Sequence, residues 1–315
     1  MNELNYSTAS TLECRLMNAS VAAYYIKDGK LDPSAPGYKQ MEIMPGTTPV
    51  VFQGGLETID AGFVAETVDN WVFLAFRGTL PPFKGDFWRW ITDWMNDFRI
   101  GPMTWNVNGQ TFGQVETGFA SAVLTLWPQV KAALSGINLK TKNGIIATGH
   151  SKGAAAAHLA ASLLKGQYFP GTLIEVCCFA APLVADRTFR ANYDKLGLRP
   201  FSVRYQKEYD AVPFLPYVPI WHLLAAAERL SNPQHENLAI TGDLLQAAIE
   251  NDYVPIGIIR YMTTSCAIEY GQQAESDAWK ALEDALLHLR FTEIAEAHSA
   301  QDSYLPCVCL LQGSA

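Results

Sequence analysis

Residues 144–164 constrain the fold of this 315-residue chain more than any other stretch. Gly144-Ile145-Ile146-Ala147-Thr148 is a short apolar run, the composition of a strand buried on both faces. It leads straight into Gly149-His150-Ser151-Lys152-Gly153, and an alanine-rich helical pattern over 154–164 follows. A strand that turns sharply into a helix pushes the middle residue of the turn out at the end of the sheet. Glycine is needed on either side, because larger side chains would strike neighbouring backbone. The helix that starts there points unpaired N–H groups and the positive end of its dipole at whatever the serine attacks. A bare Gly-x-Ser-x-Gly match arises by chance in about one chain in ten of this length. The buried-type strand before it and the small-residue helix after it are what assign Ser151 as an exposed nucleophile rather than part of an ordinary glycine turn.

The rest of the chain alternates as such a strand–helix unit requires. Apolar residues at helical spacing predict a helix over 12–26, ending before Asp28-Gly29, and a turn-rich stretch over 32–55 follows. Two β-type runs, 62–68 and 71–76, are joined by Asp69-Asn70, which suits a hairpin turn. Helical patterns at 119–134 and 186–196 alternate with short apolar strands at 173–179 and 201–205. This order predicts an α/β fold with a mainly parallel central sheet flanked by helices. Residues 237–297 are dominated by helical patterns and predict an additional C-terminal helical layer. No repeat or linker-like tract interrupts the chain, so one domain over 1–315 is expected.

Charge and cysteine usage narrow the function. The 23 basic against 31 acidic residues give a net charge of -8, which disfavours nucleic acid, whose phosphates need a basic stripe. The first residues lack a basic region followed by an apolar run, and no apolar stretch is long enough to span a bilayer. The expectation is a protein cytoplasmic as synthesised, with signal-independent secretion left open. Of the six cysteines, Cys177-Cys178 and the near pair Cys307 and Cys309 sit in apolar runs with no histidine at ligand spacing. Buried thiols in a reducing compartment are expected, and neither a metal nor an organic cofactor is implied.

Several further motifs fall in a fixed order: Phe76-Arg77-Gly78-Thr79 after a strand, Asp93-Trp94 and Asp97, Gly118-Phe119, the elbow at 149–153, and Asp210-Ala211-Val212-Pro213-Phe214-Leu215-Pro216. In this series, over roughly residues 60–225, the chain resembles the class 3 lipases, the fungal-lipase-like triacylglycerol lipases of the α/β-hydrolase superfamily. The resemblance implies that Thr79 belongs to the oxyanion hole through its backbone N–H and hydroxyl, with Asp97 holding that hydroxyl. The general architecture agrees, since one oxyanion donor comes from the loop after an early strand and the other is the N–H following the nucleophile, here Lys152. The family usually has leucine at 152, histidine at 116 and proline at 211, where this chain has Lys152, Glu116 and Ala211. A lysine at 152 either reaches solvent or places a charge beside the site.

The acid should follow Ser151 at a strand end, and the base should come later. Asp210 fits the first condition, with Glu208 as its competitor, and the resemblance favours Asp210. Among the histidines, His150 belongs to the elbow and is expected to point away from the nucleophile, and His158 lies within the following helix. His222 follows the acid closely, His235 lies in a polar loop, and His288 falls inside a helical pattern. His298 closes that pattern, and the segment after it resembles the family's late histidine followed by an aromatic residue. Ser151, Asp210 and His298 are therefore the expected triad.

Between Thr79 and Asp97, Phe83, Phe87, Trp90 and Trp94 recur at helical spacing. An aromatic helix face at 80–96 suits either a plain core helix or a lid, the mobile cover that the resemblance implies at this place. The implied activity is hydrolysis of lipid esters, of the triacylglycerol lipase or phospholipase A1 type, with a lipid ester substrate met at a membrane or droplet surface. Two other readings stay open: an acyltransferase using the same triad, and a non-catalytic lipid-binding protein. A translocated effector with an immunity or secretion partner is a further hypothesis on the exported reading.

Overall fold

The computed structural model describes residues 11–79, 101–216 and 252–310. Helix α1 (Leu12–Ala23) starts where the Thr11 hydroxyl accepts the Cys14 N–H at 3.2 Å, a side-chain cap that satisfies one of the free donors of the first turn. Strands β1 (Val50–Gly54), β2 (Asp60–Glu66) and β3 (Trp71–Phe76) form an antiparallel meander. The β2–β3 turn uses Asn70 at a φ of 63°, a left-handed conformation that asparagine tolerates. A separate ribbon of β4 (Pro102–Val107) and β5 (Gln110–Glu116) leads into α2 (Thr117–Ser135).

Then come β6 (Gly144–His150), α3 (Lys152–Leu163), β7 (Ile174–Phe179), α4 (Arg187–Lys195) and β8 (Ser202–Lys207). The chain closes with β9 (Ile258–Met262), β10 (Ile268–Tyr270), α5 (Gly271–Leu287), α6 (Phe291–Ala297) and α7 (Leu305–Leu310). Among the described residues, one sheet of eight strands runs β1-β2-β3-β6-β7-β8-β9-β10. Its pairs from β3 to β9 are parallel, and only the flanking pairs are antiparallel. The expected mainly parallel sheet with flanking helices is the observed architecture.

Strand alternation divides the core into two faces. Val72, Leu74 and Phe76 of β3, with Ile145 and Ala147 of β6, pack among residues of α2 and α3. Phe73 and Ala75, with Ile146, pack on the other face with Leu16 and Met17 of α1 and with Tyr304 and Val308. Every residue of β6 is buried, as a central parallel strand covered on both sides requires. Truncating one of its isoleucines to alanine costs about 2–5 kcal/mol, because the close-packed layer cannot collapse into the space.

Two expectations need correction. The stretch read as a helical layer contains β9 and β10, which extend the sheet beyond β8, before α5 and α6 begin. Ile258-Ile259-Arg260-Tyr261-Met262 has the branched and aromatic composition of a strand, and the vacant edge of β8 decides its conformation. The cysteines also differ from the expectation of thiols throughout. Cys14 is bonded to Cys309 and Cys266 to Cys307, while Cys177 and Cys178 remain buried thiols. Pairing across 295 positions of chain is a property of the folded topology and leaves no local sign in the sequence. The lid expected over 80–96 lies outside the described residues, as does 237–251 of the helical layer. Among the described residues, no helix is long and apolar enough to cross a membrane.

Candidate active site

The elbow has the geometry its glycines imply. Ser151 sits at φ 57° and ψ -126° between β6 and α3, a conformation costly for a residue with a Cβ and held by the surrounding packing. A methyl group at 149 would lie 2.3 Å from the Gly153 carbonyl carbon, and one at 153 would lie 2.2 Å from the Phe76 carbonyl oxygen. These two glycines let α3 start directly against the ends of β3 and β6.

The candidate base and acid arrive from elsewhere. His298, at the C-terminal end of α6, places Nε2 3.0 Å from Ser151 Oγ. Its Nδ1 lies 3.0 Å from each carboxylate oxygen of Asp210, which is buried in the loop after β8. The Val212 N–H donates to Asp210 Oδ1 at 3.0 Å, and the Tyr304 hydroxyl donates to Oδ2 at 2.6 Å. Tyr304 in turn accepts the Lys207 N–H at 2.9 Å. Burial and the neighbouring Asp210 carboxylate push the phenol of Tyr304 well above its ordinary value, which keeps it a neutral donor. Sequence reasoning gave Tyr304 no role. The only signal available was an aromatic residue shortly after the candidate histidine.

His150 does not turn away from the site as expected. Its ring lies 4.7 Å, centroid to centroid, from that of His298, and the Tyr24 hydroxyl is 2.8 Å from its Nδ1. Burial, reinforced by the adjacent His298, holds His150 well below the usual histidine range, so it stays neutral beside the base.

Thr79 follows the end of β3, and its hydroxyl is buried with no hydrogen-bond partner among the described residues. The loop it belongs to presses on the elbow, since a methyl at Gly78 would lie 2.7 Å from the His150 carbonyl oxygen. The Lys152 side chain does not reach solvent. It is buried, with its ammonium 2.7 Å from Asp60 Oδ1. Glu116 caps α2 by accepting the Gly118 and Phe119 N–H groups at 2.9 and 2.8 Å, and burial raises its carboxyl to about 7.

The competitors fall away on position. Glu208 accepts the Thr264 N–H, whereas Asp210 is the carboxylate at His298 Nδ1. His288 is exposed and bonded to Asp284 in its own helical turn. His158 is buried beside Cys178 and Tyr193, with Nε2 3.1 Å from the thiol, and burial pulls it down to about 3. Asp97, Phe83, Phe87, Trp90, Trp94, His222 and His235 lie outside the described residues. Among the described residues, no group of three or more His, Cys, Asp or Glu side chains could hold a metal ion.

A mainly parallel sheet with a serine on the strand–helix elbow after β6, an acid after β8 and a late histidine is the arrangement of the α/β-hydrolase fold. Residues 73–219 match the family described as lipase (class 3). The chain is 26% identical to phospholipase A(1) DAD1, chloroplastic, of Arabidopsis thaliana, over 57% of this chain and 39% of that protein. It thus spans about two fifths of the length of that curated relative. Among solved structures, the Rhizomucor miehei lipase–propeptide complex superposes with a TM-score of 0.60 at 15% identity, covering 86% of this chain and 77% of that one. The mono- and diacylglycerol lipase of Aspergillus oryzae gives 0.55 at 23% identity, covering 80% and 78%. Over residues 73–219 the chain is thus similar to the class 3 lipases, and its fold is that of the fungal lipases.

Proposed function

We propose that this protein hydrolyses the carboxylic ester bonds of lipids through Ser151, His298 and Asp210. The observation that carries the reading is the continuous line from Ser151 Oγ to His298 Nε2 and from His298 Nδ1 to Asp210, each step 3.0 Å. His298 takes the Ser151 proton as Oγ attacks the ester carbonyl, and Asp210 fixes the tautomer and stabilises the imidazolium that forms. The oxyanion is received by the N–H groups of Thr79 and Lys152, with the Thr79 hydroxyl held by Asp97. His298 then protonates the leaving alcohol. Water, deprotonated by the same histidine, attacks the acyl-enzyme, and Ser151 recovers its proton as the fatty acid leaves.

The lipid nature of the substrate is supported by the family and by the names its relatives carry. A phospholipase A(1) and an acylglycerol lipase both cleave acyl esters of glycerol, so the shared substrate element is a fatty-acyl glycerol ester. The aromatic segment at 80–96, with Phe83, Phe87, Trp90 and Trp94, is the proposed cover of the acyl site. The test is a product assay on triacylglycerol, phospholipid and short-chain esters with wild type and Ser151→Ala. Fatty acid released by wild type and absent with Ser151→Ala is the expected outcome. Equal release by both proteins would sink the assignment.

A further inference from the structure

The two proposed oxyanion donors sit on different segments, Thr79 after β3 and Lys152 at the start of α3, and both segments are tied to one turn. Asp60 opens β2 and is buried; its carboxylate bonds the Lys152 ammonium at 2.7 Å. Just before it, the Thr58 and Ile59 carbonyls each accept from Arg77 Nη2 at 2.7 Å. Arg77 also donates to the Ile26 carbonyl at 3.1 Å, and its backbone N–H donates to the Ala61 carbonyl at 2.8 Å. Burial lowers the Arg77 guanidinium, and the field of Asp60 works against that. Asp60 itself is packed closely, since a methyl on Gly55 would lie 2.6 Å from its Oδ2. A buried ammonium is retained only with a charged partner that replaces its water. A lysine where the family usually carries leucine therefore needs an acid at the position of Asp60, and both are present.

We propose that Asp60 is a positioning residue for the oxyanion hole, anchoring the Lys152 segment by its carboxylate and the Arg77-Gly78-Thr79 segment through the turn it closes. The inference rests on the hydrolase reading above. Oxyanion donors act by being fixed before charge develops, so a loosened anchor weakens the transition state more than substrate binding. A displacement of about 1 Å in such a group costs on the order of a hundredfold in rate.

The experiment compares wild type, Ser151→Ala, Asp60→Asn and the double variant Asp60→Asn/Lys152→Met on a chromogenic butyrate ester. Active enzyme is counted by titration with a fluorescent phosphonate. Affinity for an alkyl boronic acid, which forms a tetrahedral adduct on Ser151, is measured alongside. The double variant removes both charges and so guards against a fold lost to one unpaired buried ammonium. Expected for Asp60→Asn and for the double variant is a kcat about 10–100-fold lower per titrated site, with KM within about threefold and boronate affinity reduced in parallel. A double variant that turns over within about twofold of wild type per titrated site overturns the inference. Activity surviving in Ser151→Ala would instead fail the hydrolase reading, so the two failures are separable.

Discussion

The elbow and the histidine arm meet where His298 Nε2 lies 3.0 Å from Ser151 Oγ, but they are built in opposite ways. The elbow, residues 149–153, takes its turn from its own backbone, and remote contacts reach the side chains of His150 and Lys152. Two glycines permit the close approach, a buried strand delivers the serine, and a helix receives it. The arm, residues 298–310, is held by ties to remote parts of the chain. Cys309 is bonded to Cys14 of α1, Cys307 to Cys266 after β9, and Tyr304 reaches Lys207 and Asp210 beyond β8. The comparison shows that the candidate nucleophile sits on a locally built turn while the candidate base depends on long-range closure, so the proposed triad has a local half and a tethered half.

The largest effect expected comes from cutting the joint between them. His298→Ala should lower kcat on a lipid ester by about 10⁴-fold or more, as loss of a triad base does, and should also cost about 1–3 kcal/mol of stability, because the buried Asp210 loses its imidazole partner. A loss below tenfold would mean that the arm does not supply the base. Releasing the arm without touching its histidine is the next step down. Cys14→Ser/Cys309→Ser should destabilise the protein by about 2–5 kcal/mol in urea unfolding, as removal of a disulfide that closes a long loop does. In hydrogen exchange, the amides of 298–310 should open before those of 144–163. If both regions open together, the distinction between a local and a tethered half is wrong.

Tyr304→Phe is milder. It removes one hydrogen bond to Asp210 and leaves the ring in the core, so about 1–2 kcal/mol of stability and a roughly tenfold lower kcat are expected. An unchanged kcat would limit Tyr304 to packing. The smallest effect belongs to neither half. Glu116 caps α2, and because burial raises its folded value to about 7, above that of an exposed glutamate, the folded chain binds the proton more tightly than the unfolded chain does. Its contribution to stability is complete below the unfolded value and is lost as pH rises toward 7. The gap in melting temperature between Glu116→Gln and wild type should therefore shift in favour of the glutamine variant from pH 5 to pH 8. A gap independent of pH would show that the carboxyl is not raised.

The same contrast explains what was legible in the residues. Thr79, Asp210 and His298 are singled out in the sequence by the family resemblance, and the predicted strands at 71–76 and 173–179 match β3 and β7 closely because their apolar runs are continuous. Strands β9 and β10 are obscured by the helical patterns around them, since a short run gains its conformation from the neighbouring edge it pairs with. The inward place of His150, the burial of Lys152 on Asp60 and the role of Tyr304 were likewise hidden, each set by a contact more than 90 positions away in the chain, as for the 92 between Lys152 and Asp60.

By itself, the sequence determined the mainly parallel sheet and singled out Ser151 on its elbow as the candidate nucleophile, because strand composition and the steric need for glycine act between near neighbours. Tertiary structure alone decided how the base is held, which cysteines pair and where the charge of Lys152 goes. Those depend on segments far apart in sequence being brought together, and only the closed fold makes their contact energies available.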